Sequence, residues 1–271
     1  MIPFRKMHGL GNDFVVIDGR ESVPNLTTAQ IQLVADRHFG VGCDQLIIIE
    51  PPTNATADVF MRIYNPDGSE AEACGNATRC VASLLMNEQS LEKFIIQTLN
   101  GNLPATLQDD GNVTIDMGLA QLGWQDVPLS HELDTLHLPI AEGQLKDPVA
   151  VGMGNPHCVF IVDDADAIDL PAVGPLVENH KLFPNRTNVE IVSLKTDGAL
   201  RLRVWERGAG ITLACGSGAC AAMVAAHLRG LVDRTADIEL NGGVLHMEWL
   251  ENGHVLMAGP VATSFIGELD L

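Results

Sequence analysis

The feature that most constrains this chain is that it repeats itself. The stretch GLGNDFVVID from Gly9 to Asp18 recurs as GMGNPHCVFIVDD from Gly152 to Asp164. In both, a glycine-flanked asparagine leads into an apolar, β-branched run of the kind that forms a buried strand. Asn12 therefore corresponds to Asn155. Further on, ACGNATRCVASLLM from Ala73 corresponds to ACGSGACAAMVAAHL from Ala214, which places Cys74 over Cys215. Between these landmarks each half has a polar residue opening another strand, Gln45 in GCDQLIIIE and Asn188 in RTNVEIVSL. Landmarks in one order at nearly one spacing predict two similar domains related by a pseudo-two-fold.

The segment after each cysteine is apolar around nearly the whole helical circumference: Cys80, Val81, Leu84, Leu85 and Met86 in one half, Ala219 to Ala226 in the other. Such a helix is buried on all sides, and the short β-branched runs separated by Gly, Pro, Asn and Asp supply strands to surround it. The expected fold is α/β (α+β), two pseudo-symmetric domains, each a mixed β-sheet or barrel wrapped around a central buried helix. A length of 271 residues suits two cores. The boundary is expected near Gly118 to Trp124, giving residues 1–118 with 263–271 as the domain carrying Cys74 and residues 119–262 as the domain carrying Cys215.

Each helix begins Cys-Gly-polar, and the first N–H groups of a buried helix need partners. A bound carboxylate fits, held by the N–H groups of Gly75, Asn76, Gly216 and Ser217 and by the helix dipole. A helix start also lowers a thiol's pKa from about 8.5 towards neutrality. If the pseudo-two-fold brings both helix starts to one cleft, two thiols face each other. Inversion of a stereocentre needs that pair, one group removing a proton from one face and the other delivering a proton to the opposite face, with preorganised donors stabilising the carbanion. Cys43, Cys80, Cys158 and Cys220 have no counterpart in the other half and read as core. His157, after GMGNP, and Glu206 are candidates for setting which thiol is ionised; Arg207 is a candidate partner for a substrate carboxylate.

Composition excludes other classes. With 16 basic and 35 acidic residues the formal net charge is −19, which repels nucleic acid and anionic membrane surfaces. No apolar run reaches the roughly 18–20 residues of a membrane span, and the N-terminus lacks a leader pattern, so a soluble, unexported, cytoplasmic protein is expected. Six cysteines without a CxxC pair, and no HExxH, argue against both a disulfide scaffold and a metal site.

The strings FRKMHGLGNDFVVID, GVGCDQ, YNPDGSEAEACGNATRC, GNPH, TNVE and ERGAGITLACGSGACA together resemble the signatures of the diaminopimelate epimerase family, in the family's order and over nearly the whole chain. The resemblance implies interconversion of LL- and meso-2,6-diaminopimelate, a step towards lysine and peptidoglycan, with no pyridoxal phosphate, other cofactor or metal, by a homodimer. It implies Cys74 and Cys215 as the bases, with Gly75, Asn76, Gly216 and Ser217 on the reacting carboxylate. Asn12, Gln45, Asn65, Asn155, Asn188, Glu206 and Arg207 would bind the substrate, and His157 and Glu206 would tune the thiols. Ala77 and Ile211 depart from the family pattern at positions not expected to touch substrate. Competing readings are a two-cysteine proline or hydroxyproline racemase, a thiol redox protein cycling Cys74 and Cys215 as a disulfide, and a non-catalytic binding protein.

Overall fold

The computed structural model describes residues Met1–Leu271, and in it one succession of elements occurs twice. The first unit, Met1–Asp116 with Ala258–Leu271, contains β1 (Ile2–Gly9), β2 (Asn12–Asp18), α1 (Thr28–Ala35), β3 (Gln45–Glu50), β4 (Val59–Tyr64), β5 (Glu70–Ala71), α2 (Gly75–Gln89), β6 (Lys93–Thr98) and β7 (Gly101–Leu107), with β8 (Val113–Leu119) leading out. The second unit, Met117–Met257, opens with a small ribbon of β9 (Ala141–Glu142) and β10 (Leu145–Lys146). It continues with β11 (Val149–Gly152), β12 (Pro156–Ile161), α3 (Leu170–Glu178), β13 (Asn188–Leu194), β14 (Leu200–Glu206), β15 (Gly210–Ile211), α4 (Gly216–Leu228), β16 (Thr235–Leu240), β17 (Gly243–Trp249) and β18 (His254–Gly259). The last strand, β19 (Ala262–Leu269), pairs antiparallel with β1.

Pairing repeats as well. β2 lies parallel to β3 with Phe14 opposite Gln45, and β12 lies parallel to β13 with His157 opposite Asn188. β4 runs parallel to β6, and β14 to β16. A parallel pair needs a crossover that packs back onto the sheet, and α2 and α4 are those crossovers.

Both crossover helices are sheathed in strands. In α4 every residue from Gly218 to Ala226 is buried, and five of these are alanine, small enough for strands to approach from all sides. The all-round apolar reading of α2 needs a correction. Leu84 is only half-buried, whereas Arg79 is wholly buried. Gly9 makes room for that guanidinium, since a Cβ there would lie 2.9 Å from Arg79 Nη2.

All six cysteines are unpaired. Burial pushes the Cys43 thiol up to about 11 and the Cys80 thiol up to about 12. Each raised thiol contributes stability that is complete below the unfolded value near 9 and is lost as pH rises through the folded value, because only the unfolded chain can release the proton cheaply. Thermal melts in reductant should therefore show stability falling by about 1.4 kcal/mol per pH step above 9 for each such thiol, and Cys80→Ala should flatten the fall. An identical alkaline slope in that variant would rule the thiol out as its source.

Candidate active site

In the first unit the turn between β1 and β2 fixes the leading asparagine. Gly9 pairs with Asn12, and the two residues between them, Leu10 and Gly11, have φ of 55° and 84°. This is the backbone of a tight two-residue hairpin, and it fixes Asn12 at the start of β2. Asn12 Nδ2 donates to Asp44 Oδ2 at 2.8 Å. Its Oδ1 accepts from Asn76 Nδ2 at 3.1 Å and from the Cys74 thiol at 3.9 Å. Cys74 is the N-cap of α2, and Gly75 and Asn76 occupy the first helical positions.

Asp44 is itself held. Arg37 donates to Asp44 Oδ1 and Asp13 Oδ1, each at 2.7 Å, and the buried Lys6 ammonium also donates to Asp13. Burial raises the Asp13 carboxyl, but Arg37 and Lys6 together outweigh it and hold the group well below the ordinary carboxylate range. Beside this network, Gln45 Nε2 donates to Asn65 Oδ1 at 3.1 Å, and Asn65 Nδ2 donates to Ser69 Oγ at 3.1 Å. Gln45 Oε1 is buried without a hydrogen-bond partner, which leaves an acceptor for a ligand N–H.

In the second unit Asn155 follows Gly154, whose φ is 83°. Asn155 Oδ1 lies 2.8 Å from His157 Nε2, and His157 Nδ1 lies 2.7 Å from Glu190 Oε1. His157 and Glu190 are both fully buried. Asn188 has a framework contact at each end of its amide: Oδ1 accepts from the Arg207 backbone N–H at 2.9 Å, and Nδ2 donates to Pro156 O at 3.0 Å. Arg207 is exposed, and its guanidinium donates to Asn185 O at 3.2 Å. Glu206 accepts from the Thr212 hydroxyl.

Cys215 is the N-cap of α4, followed by Gly216 and Ser217, and its sulfur lies 3.7 Å from Ser217 Oγ. A helix start was expected to lower this thiol, and here the opposite holds. Burial, then the nearby carboxylates of Glu206 and Glu190, raise Cys215 well above an ordinary thiol, and Gly218 and Ser217 at the helix start offset only part of this.

The sequence model of diaminopimelate epimerase matches residues 4–123 and 149–264. The diaminopimelate epimerase of Rhodospirillum centenum is 57% identical over 266 residues, covering 98% of this chain and 91% of the relative. That of Acidiphilium cryptum is 53% identical over 268 residues, covering 99% and 96%. This chain belongs to the diaminopimelate epimerase family. Its fold is shared more widely. A phenazine biosynthesis protein of the PhzF family from Enterococcus faecalis superposes with a TM-score of 0.74 at 17% identity, covering 100% of this chain and 99% of that one. A hydroxyproline epimerase from Agrobacterium vitis, with bound trans-4-hydroxy-L-proline, gives 0.69 at 16% identity, covering 98% and 91%. Sequence identity thus lies with the diaminopimelate epimerases, and the proline-type enzymes share the architecture.

Within this family member, the structure groups Asn12, Cys74 and Asn76; Gln45 and Asn65; Asn155 and His157; and Asn188 with the Arg207 backbone. Two residues that the sequence reading passed over are Asp44, which accepts from Asn12 directly, and Glu190, which contacts His157, the partner of Asn155. Both were visible as acids inside quoted motifs, Asp44 in GCDQ and Glu190 in TNVE. Of the two departures from the family pattern, Ala77 is buried in α2 and Ile211 is exposed on β15.

Proposed function

We propose that the protein epimerises LL-2,6-diaminopimelate to meso-2,6-diaminopimelate by two-base proton transfer, with Cys74 and Cys215 as the bases. The observation that carries this reading is the duplicated helix start within a chain of this family: each unit presents one cysteine as the N-cap of a buried crossover helix. One thiolate removes the α-proton and the other thiol delivers a proton to the opposite face, so no electron sink beyond the protein's own donors is called for. The N–H groups of Gly75 and Asn76, and of Gly216 and Ser217, hold the reacting carboxylate and stabilise the negative charge that spreads onto it.

The substrate has a second amino-acid end that does not react, and amide side chains suit it because each offers both a donor and an acceptor. Asn12, Gln45, Asn65, Asn155 and Asn188 fill this role, with Glu206 for the ammonium and Arg207 for the carboxylate. Glu206 also acts on Cys215 through its charge, favouring the thiol form, and His157 offsets the charge of Glu190 near the same sulfur. The enzyme works in the cytoplasm, for which six unpaired thiols are suited, and as a homodimer. No helix is long and apolar enough to cross a membrane.

The test is solvent-deuterium incorporation. In D2O, with reductant and no added cofactor, LL-diaminopimelate should gain deuterium at one α-carbon as the meso isomer accumulates. Absence of exchange would discard the reading, and equal turnover of proline or hydroxyproline would move it to the proline-type racemases.

A further inference from the structure

The duplication makes the second unit's buried His157 and Glu190 stand out. The offset that carries Asn12 onto Asn155 also carries Phe14 onto His157 and Ile47 onto Glu190, and the strand registers agree: Phe14 faces Gln45 across β2 and β3, and His157 faces Asn188 across β12 and β13. Phe14 and Ile47 are fully buried. The same frame therefore closes with two apolar side chains in one unit, so folding does not require a histidine and a glutamate in the other.

What the exchange alters is the grip on the leading asparagine. In the first unit Asp44 takes Asn12 by its Nδ2, and Oδ1 becomes the working end, accepting from Asn76 and Cys74. In the second unit His157 Nε2 takes Asn155 by its Oδ1, which leaves Nδ2 as the working end. We propose that Glu190, acting through His157, is a positioning residue that locks Asn155 with its amide N–H groups turned to the ligand, the reverse of Asn12. One unit thus presents an acceptor where its duplicate presents a donor, which suits Asn155 to a carboxylate or carbonyl oxygen.

The proton inventory supports the lock. Asn155 Oδ1 can only accept, so Nε2 carries a proton. The 2.7 Å contact between Nδ1 and Glu190 Oε1 holds one more, and the pair as a whole is neutral whether drawn as imidazolium with carboxylate or imidazole with carboxylic acid. Burial raises the Glu190 carboxyl, with His157 opposing, and Glu190 Oε2 has no hydrogen-bond partner, both of which favour a shared proton over a lone carboxylate. Space is tight on the helix side, where a Cβ on Gly218 would lie 3.0 Å from Glu190 Oε1. The charged or titratable groups facing Glu190 are His157, Glu206, Cys215 and Cys158; among their side chains only His157 bonds to it, and the Cys158 backbone N–H also favours the carboxylate.

The inference rests on the proposed substrate for its kinetic arm but not for its spectroscopic one. In nitrogen-15 spectra of the full-length, substrate-free protein, His157 Nε2 should carry a proton, and Glu190→Gln should lose the proton shared at Nδ1. With LL-diaminopimelate, Glu190→Gln should raise KM at least about tenfold, and Glu190→Asp should recover part of the loss. An unprotonated Nε2 in the wild type, or wild-type KM in a folded Glu190→Gln protein, overturns the proposal. If the glutamine variant fails to fold, the wild-type spectrum decides alone. Loss of solvent-deuterium exchange in the wild type would instead strike the proposed reaction and leave the nitrogen result standing.

Discussion

Cys215→Ser and Cys74→Ser should each lower epimerisation by about 10²–10⁴-fold, the range that a positioned proton-transfer group contributes. Serine preserves the shape of the side chain but not its acidity. Its hydroxyl does not ionise near neutral pH, so a variant lacks either the base that takes the α-proton or the acid that returns it. Loss in both single variants is the requirement, because inversion needs a competent group on each face and one thiol cannot serve both. The assay is formation of the meso isomer from LL-diaminopimelate under reductant, with circular dichroism to confirm folding. Cys215 is buried and Cys74 only half-buried, so the two losses need not be equal in size. Unaltered turnover in either variant would remove the two-base mechanism and leave a different chemistry.

The second large effect is on stability. His157→Phe alone leaves Glu190 buried without its partner, and breaking a buried pair from one side costs about 3–5 kcal/mol. His157→Phe combined with Glu190→Ile copies the residues that the first unit uses at the equivalent positions, where Phe14 and Ile47 pack at 0% exposure. Exchange of a buried pair for well-packed apolar groups is neutral or stabilising by about 1–4 kcal/mol. The double variant should therefore be as stable as the wild type or more so, though impaired as an enzyme. Urea denaturation of the wild type, both single variants and the double variant gives the coupling directly. Additive losses, with the double variant the least stable of the four, would mean that the pair is part of the packing.

Much of this molecule was legible without coordinates. The repeat, the buried crossover helix after each cysteine and the family could be read because each rests on local sequence: a run of small or apolar residues, a Cys-Gly-polar start, a glycine-flanked asparagine. Arg79 was missed because one cation in an apolar helix gives no sign of whether it is exposed or enclosed, and enclosure depends on Gly9 leaving space on a strand some seventy residues away.

Asp44 and Glu190 were passed over for a related reason. An acid next to a strand residue is ordinarily solvated, and nothing in TNVEIVSL reveals that β13 is buried along almost its whole length. Comparison of the two halves position by position would have flagged Glu190, since Ile47 occupies its place in the duplicate. The direction of the Cys215 shift was also beyond the sequence. A helix start favours the thiolate, but desolvation and two carboxylates from other strands oppose it, and their combined weight depends on distances that only packing sets.

The sequence by itself determined the duplicated α+β frame, the central helices and the family, because periodicity, helix starts and motif order are properties of neighbouring residues. Only the tertiary structure decided which end of each leading asparagine is gripped, which carboxylates are buried and in which direction the Cys215 thiol is shifted, because hydrogen-bond partners and desolvation are fixed by residues that meet from distant parts of the chain.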